Sequence, residues 1–337
     1  MTTAGPLQDE RTSGRQAEGG STSARAFVGL SHSPLMGLNP ISPTVERELQ
    51  FALAELREQV LAFQPELIVL VAPDHYNGFF NELMPPFCIG TEAESVGDYL
   101  TPPGSLNVDT VTAVTLAERL MDEDFDIAVS RRMVVDHGFA QPLQMLWGDL
   151  DTPPVLPLFV NAVAAPGIPR LRRCRALGAA IGRFLQGEPR RTLLIGSGGL
   201  SHEPPVPTLA DPDPAVRERI TARQRPTQPE RDAKTRRVMA AGMALASGQS
   251  PLRPLNPEWD RRWMDALAGE VGAIDGLCGM TEEEVARDGG RSAHESKSWL
   301  VARSALPGDG RPHCTFRHYQ AIPEYIAGFG AMMLTPA

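Results

Sequence analysis

The chain has 337 residues, 42% of them apolar, with 32 basic and 41 acidic side chains and a formal net charge of −9. That length fills one large α/β domain or two smaller ones. The negative balance argues against non-specific binding to nucleic acid or an anionic membrane, while a local cationic cluster could still face a small anion. Cys88, Cys174, Cys278 and Cys314 are far apart and form no CxxC pair, the pattern of scattered reduced thiols. No run of about 18 apolar residues reads as a membrane span. The N-terminus has no apolar signal core, so a cytoplasmic chain is expected.

Residues 1–25, rich in Gly, Ser, Thr and charge, read as a flexible extension. Order is expected from Ala26, where AFVGL has the continuous apolar character of a buried strand. Ser42-Pro43 is a helix-start signal, and Leu49, Leu53, Leu56, Val60 and Phe63 follow at helical spacing. Leu67–Val71 is a second strand, and strand–helix–strand favours parallel pairing with a right-handed crossover. The pattern continues with a helix over Val111–Met121 and strands at Ile127–Ser130, Met133–Val135 and Val155–Val160. A helix over Arg170–Leu185 and a strand at Thr192–Ile195 come next. Ala210–Pro229, rich in Pro, Arg and Asp, reads as an exposed excursion. Beyond about Asp211 strand signals nearly vanish, and helices are predicted over Arg231–Ala246, Glu258–Ala268, Glu282–Asp288 and Glu295–Ala305. Trp259 and Trp263, four residues apart, read as core packing, and His313 and His318 as surface residues. The expected fold is α/β, with a mixed, largely parallel central sheet flanked by helices and a more helical C-terminal third.

His32, His75, His137 and His202 each sit at or just past an apolar strand-like run, in a turn rich in Gly, Pro, Ser or Asp. Ligands of α/β sheets lie beyond the carboxyl ends of the strands, so these four imidazoles point to metal binding or proton transfer there. His32 and His75 are the best pair of metal ligands. A carboxylate would complete a two-histidine-one-carboxylate face with open positions for substrate and O2. Asp74, Asp136, Glu203, Glu258 and Glu295 are the candidates. Asp74 could instead orient His75 from behind, and Glu295 could be a helix-start acid favoured by the dipole. His137, next to Asp136, and His202, after the GSGG loop, suit general acid–base work. A zinc hydrolase would fit three protein ligands and an open position equally well. A serine hydrolase using Ser33, Ser197 or Ser201 lacks the GxSxG context.

The segments LSHSPLMG, LIVLVAPDHYNGFF, MPPFCIG, VDHGFAQPL, GSGGLSHEPPVP, LNPEWD, HESKSW and IPEYIAGFG, in this order from about Ala26 to Gly330, resemble the class III extradiol ring-cleavage dioxygenases. That group includes the protocatechuate 4,5-dioxygenase β subunit. The resemblance implies a single catalytic domain over 26–330 and Fe(II) held by two histidines and a glutamate, which fall on His32, His75 and Glu295. Glu258 is the other carboxylate to weigh for the third position. The resemblance also implies a proton donor at His137 and a proton acceptor at His202. It implies a catechol and O2 as substrates, in the branch acting on 3-(2,3-dihydroxyphenyl)propionate and its cinnamate analogue, and a homo-oligomer, a tetramer. No nucleic-acid or membrane partner is expected. For a substrate carboxylate, Arg131, Arg132 and Arg262 are the cations considered.

Overall fold

A computed structural model describes Met1 and residues 24–222, 227–308 and 310–337. The expected N-terminal extension therefore lies almost wholly outside the described residues. The strands are β1 (Arg25–Leu30), β2 (Leu67–Ala72), β3 (Phe87–Gly90), β4 (Ala93–Val96), β5 (Pro103–Ser105), β6 (Ala128–Ser130), β7 (Met133–Val135), β8 (Val155–Val160), β9 (Thr192–Ser197), β10 (His313–Ile322) and β11 (Ala327–Thr335). The helices are α1 (Pro43–Phe63), α2 (Thr110–Asp122), α3 (His137–Trp147), α4 (Leu171–Phe184), α5 (Pro214–Thr221), α6 (Gln228–Ala246), α7 (Pro257–Leu267), α8 (Val271–Cys278), α9 (Glu282–Gly289) and α10 (Ser296–Ser304).

Eight strands form one sheet in the order β10-β11-β1-β9-β2-β8-β3-β6, and β5-β4-β7 form a small second sheet. The central four, β1, β9, β2 and β8, are mutually parallel. β11 runs antiparallel to β1, and β3 antiparallel to β8. Every residue of the central four is buried. This is why the middles of these strands are apolar: both faces are covered. Alternate side chains point to opposite layers. Phe27, Val69 and Leu156 join a core with α2, α4, α7 and α10, while Val28, Ile68 and Leu70 join a second core with α1 and α3.

Local signals explain the elements that frame the site. In α1 the Ser42 side chain accepts from Val45 N–H, Pro43 opens the helix, and Leu49, Leu53, Leu56 and Val60 are buried. Truncating one of these leucines to Ala would cost about 2–5 kcal/mol. α10 lies almost on the sheet. A Cβ at Gly29 of β1 would run into the Trp299 indole, and one at Gly196 of β9 into the Trp299 backbone. Trp299 Nε1–H donates to Gly198 O at 2.9 Å. Glycines in two adjacent strands thus set the depth at which the chain before α10 meets the strand ends.

Four expectations need correction. β1 and β2 are parallel, but they are not neighbours: β9 is inserted between them. The C-terminal part contains the long β10–β11 hairpin, with β11 buried from Ala327 to Leu334. His318 belongs to β10 and is only half exposed. The 210–229 excursion carries α5, whose Ile220 is buried against Tyr76 and Phe80; residues 223–226 of it lie outside the described residues.

Candidate metal and acid–base site

The carboxyl ends of β1, β9 and β2 lie side by side, and each leads into a site residue. His32 is two residues beyond β1, His75 three beyond β2, and His202 five beyond β9. Glu295 ends a short 3-10 turn, Arg291–Glu295, directly before α10. Its carboxylate reaches in from the α10 side to meet all three. Glu295 Oε1 is 3.1 Å from His75 Nε2 and 3.0 Å from His202 Nε2, and Oε2 is 3.4 Å from His32 Nε2. Gly199 N–H donates to Oε2 at 3.0 Å.

The other ring nitrogens determine which atom of each histidine faces this carboxylate. His32 Nδ1 is 2.9 Å from Ser197 Oγ, and that hydroxyl is 2.6 Å from the Gly138 carbonyl oxygen. A carbonyl only accepts, so the serine proton goes to Gly138 and His32 must donate from Nδ1. His32 Nε2 then carries a lone pair. It is buried, with no hydrogen-bond partner among the described residues. His75 donates from Nδ1 to Asp136 Oδ2 at 3.1 Å, and His202 from Nδ1 to Leu200 O at 2.9 Å. All three histidines thus aim an Nε2 lone pair, or a proton carried there, at Glu295.

Burial and charge shift these groups in different directions. Burial pushes His32 down to about 3, against the pull of Glu295. Burial also opposes charge on His75 and His202, but Asp136 and Glu295 raise the first well above its ordinary value and Glu295 raises the second. Glu295, which burial would raise, is held well below the usual range by His202, His75 and His32. Asp136 is likewise lowered despite burial, because it faces His75 and His137 and accepts from His75 N–H and Asn77 Nδ2. It is the residue behind His75. Asp74, expected in that role, instead accepts from the backbone of Asn77, Gly78 and Phe79 and shapes the turn after His75. Burial and the neighbouring Asp136 push Asp74 up to about 7.

His137 opens α3, and Asp136 caps that helix by accepting from Gly138 N–H. The His137 ring stacks on His75 with centroids 4.5 Å apart and meets Tyr99 edge-on at 4.9 Å. Its Nδ1 donates to Asp98 Oδ2 at 2.8 Å, and its backbone N–H donates to Asp98 Oδ1 at 2.8 Å. Asp136, expected to tune this imidazole, is farther, at 4.0 Å. His137 Nε2 is buried and unpartnered among the described residues. Asp98 sits in a turn where Tyr99 and Leu100 both have left-handed backbone, φ 46° and 66°. Each such residue costs of order 1 kcal/mol or more, strain that clusters at functional sites.

Two imidazole Nε2 atoms and a carboxylate are the donor set of a two-histidine-one-carboxylate metal face, and an unpartnered buried Nε2 fits that use. The ligand atoms of His32, His75 and His137 also lie within 4.8 Å of one another. The cluster fits a metal site. A cavity opens over it, walled by Leu35, Pro204, Pro205, Val206, Val238, Tyr325 and Ile326, with Lys234 at its edge.

Residues 26–330 match the family model described as the catalytic LigB subunit of aromatic ring-opening dioxygenase. The chain belongs to this family. It is 63% identical over 315 residues, 93% of this chain and 98% of the relative, to the 2,3-dihydroxyphenylpropionate/2,3-dihydroxicinnamic acid 1,2-dioxygenase of Comamonas testosteroni. Relatives with the same name from Cupriavidus pinatubonensis and Rhodococcus jostii are 48% and 46% identical, over 91% and 90% of this chain and 97% and 96% of theirs. This dioxygenase is thus an extradiol ring-cleavage enzyme, and the match does not favour the zinc-hydrolase alternative.

Several of the weighed residues fall outside the cluster. Glu258 is exposed and pairs with Arg262, and Glu203 pairs with Arg291 and Arg253. Ser33 donates to Tyr325 O, and Ser201 to Asp260. Arg131, Arg132 and Arg262 do not line the cavity. The Cys residues are all free thiols, and Trp259 and Trp263 stack at 5.3 Å in the core. Sequence reasoning missed Asp98, Tyr99 and Lys234. Only Asp98 carried a signal, an acid next to a glycine, and that is too common to single out. Among the described residues no helix is long and apolar enough to cross a membrane.

Proposed function

We propose that this chain opens the ring of 3-(2,3-dihydroxyphenyl)propionate and its cinnamate analogue. O2 adds beside the diol, and the products are 2-hydroxy-6-oxonona-2,4-dienedioate and the corresponding trienedioate. His32, His75 and Glu295 hold Fe(II), His202 accepts a proton from the diol, and His137 donates one during ring opening. The shared name of the near-full-length relatives supports the substrate. The observation that carries the reading is the convergence of His32, His75 and His202 Nε2 on Glu295, with each Nδ1 committed elsewhere as a donor.

Fe(II) bound there would supply a Lewis-acid template for the diol and a path for electrons from ring to O2. The rest falls to side chains. His202 keeps its Nδ1 proton on the Leu200 carbonyl, so an incoming proton can go only to Nε2, on the cavity side. His137 is held by Asp98 with Nε2 free, and the Asp98 carboxylate compensates the charge that a proton on Nε2 brings. The prolines and apolar side chains over the cluster keep water from the reacting ring.

The test is O2 uptake by protein loaded with Fe(II) without air and then given the catechol, with the dienol product followed by absorbance. Stoichiometric uptake is expected. No uptake with Fe(II), together with hydrolysis dependent on Zn(II), would overturn the reading.

A further inference from the structure

Beyond the site residues, the cavity above the cluster is lined by prolines, aliphatic side chains, tyrosines and Ser33, and by one cation. Lys234, on the second turn of α6, is the only lysine or arginine among the described residues that line it. Its Nζ has one polar contact, the His75 carbonyl oxygen at 3.5 Å, too long for a strong bond. It has no ion pair with any described carboxylate, in a chain carrying 41 acidic residues. A partly buried ammonium with no ion pair, beside this chamber, is open to engage an incoming anion.

The approach to Lys234 has the same sign. A neighbouring depression shares His75, Tyr76 and Lys234 with the main cavity and adds Arg219, Arg237 and Glu230. Three cations against one carboxylate make a positive lip on a chain of net charge −9. Such a lip raises the local concentration of anions. The contact with the His75 carbonyl places the ammonium against the backbone of a proposed metal ligand. A group bound there is therefore attached to the ring by a short chain.

Resting on the ring-opening reading above, we propose that Lys234 is the carboxylate-binding group of this cavity and selects catechols with a short anionic substituent over neutral ones. The cation engages the substituent and not the diol. This distinguishes it from a lysine that merely stabilises the catechol anion.

The test compares 3-(2,3-dihydroxyphenyl)propionate with 3-propylcatechol, which lacks the carboxylate. Dissociation constants are measured without O2 on the Fe(II)-loaded full chain, and kcat/KM ratios in air. Wild type should prefer the propionate, and Lys234→Met should reduce that preference roughly 10- to 100-fold, the scale of a charge-assisted hydrogen bond. Lys234→Arg, which keeps the charge, should retain most of it. An unchanged preference in Lys234→Met, or equal weakening of both catechols, would overturn the proposal. Wild type binding both catechols equally well would overturn it alone, and wild type binding neither would overturn the ring-opening reading with it.

Discussion

Ser197 holds His32 in one tautomer. Its Oγ stands 2.9 Å from His32 Nδ1, and its proton is committed to the Gly138 carbonyl 2.6 Å away. Removing the hydroxyl frees the imidazole to place its proton on Nε2, the atom aimed at Glu295. Ser197→Ala should therefore weaken metal affinity about 10- to 100-fold, the usual effect of losing a group that orients a ligand. Competition against a chelator measures this, with circular dichroism to verify the fold. Wild-type affinity in Ser197→Ala would mean that the tautomer is not set by Ser197.

The choice of third ligand is decided by comparing carboxylates and His137. Glu295 is 3% exposed and touches three imidazoles. Glu258 is exposed and pairs with Arg262. Glu295→Gln should lose bound iron and activity together, and Glu258→Gln should change neither. His137→Ala should keep iron and lose turnover, although its ring also lies among the grouped ligand atoms. Iron analysis together with turnover measurements on the three variants checks this. Loss of iron from His137→Ala with retention in Glu295→Gln would reverse the two roles.

The Asp98–His137 pair should act on turnover and leave metal binding intact. Asp98 accepts from both the ring Nδ1 and the backbone N–H of His137. Asp98→Asn keeps the shape but removes the charge that accompanies a protonated imidazole. kcat should fall by about 100-fold, within the range for a positioned acid–base group, with iron content unchanged. A loss confined to iron content would assign Asp98 to the metal site instead.

How much of this was legible in the sequence follows from burial. β2, β8 and β9 read clearly because both faces are covered, and their apolar runs admit no other use. β10 and β11 escaped notice for opposite reasons. β10 is a sheet-edge strand with polar side chains, and β11 is broken by Gly328 and Gly330, which read as turn residues. α3 has Gly138 near its start, Pro142 inside it and hardly any polar face, so it shows no amphipathic period. Strand ends are visible from composition, which is why the four histidines could be placed. The groups that hold them, Ser197, Asp98 and Leu200 O, depend on which strands lie side by side and on loop paths. The insertion of β9 between β1 and β2 cannot be read from either strand's own sequence.

The metal-free and metal-loaded proteins should respond to pH in opposite ways. In the metal-free chain Glu295 and Asp136 are lowered, so their stabilisation is present above the unfolded carboxylate values, 4.5 and 3.8, and is lost as pH falls through the folded ones. His75 and His202 are raised, so theirs is complete below 6.5 and is lost as pH rises through the folded values. His32, lowered to about 3, acts the other way, disfavouring the fold below 6.5 as its unfolded form takes up a proton. The His32 contribution no longer changes above 6.5, so the metal-free protein should lose cluster stabilisation as pH rises from there through the folded values of His75 and His202. Metal binding requires neutral imidazoles and releases protons, so the metal's contribution grows over the same interval. Melting temperatures of both forms between about pH 5 and pH 9 should therefore diverge, the gap widening with pH. A gap constant across that range would mean that His75 does not give up a proton to bind metal, and would separate it from the metal site.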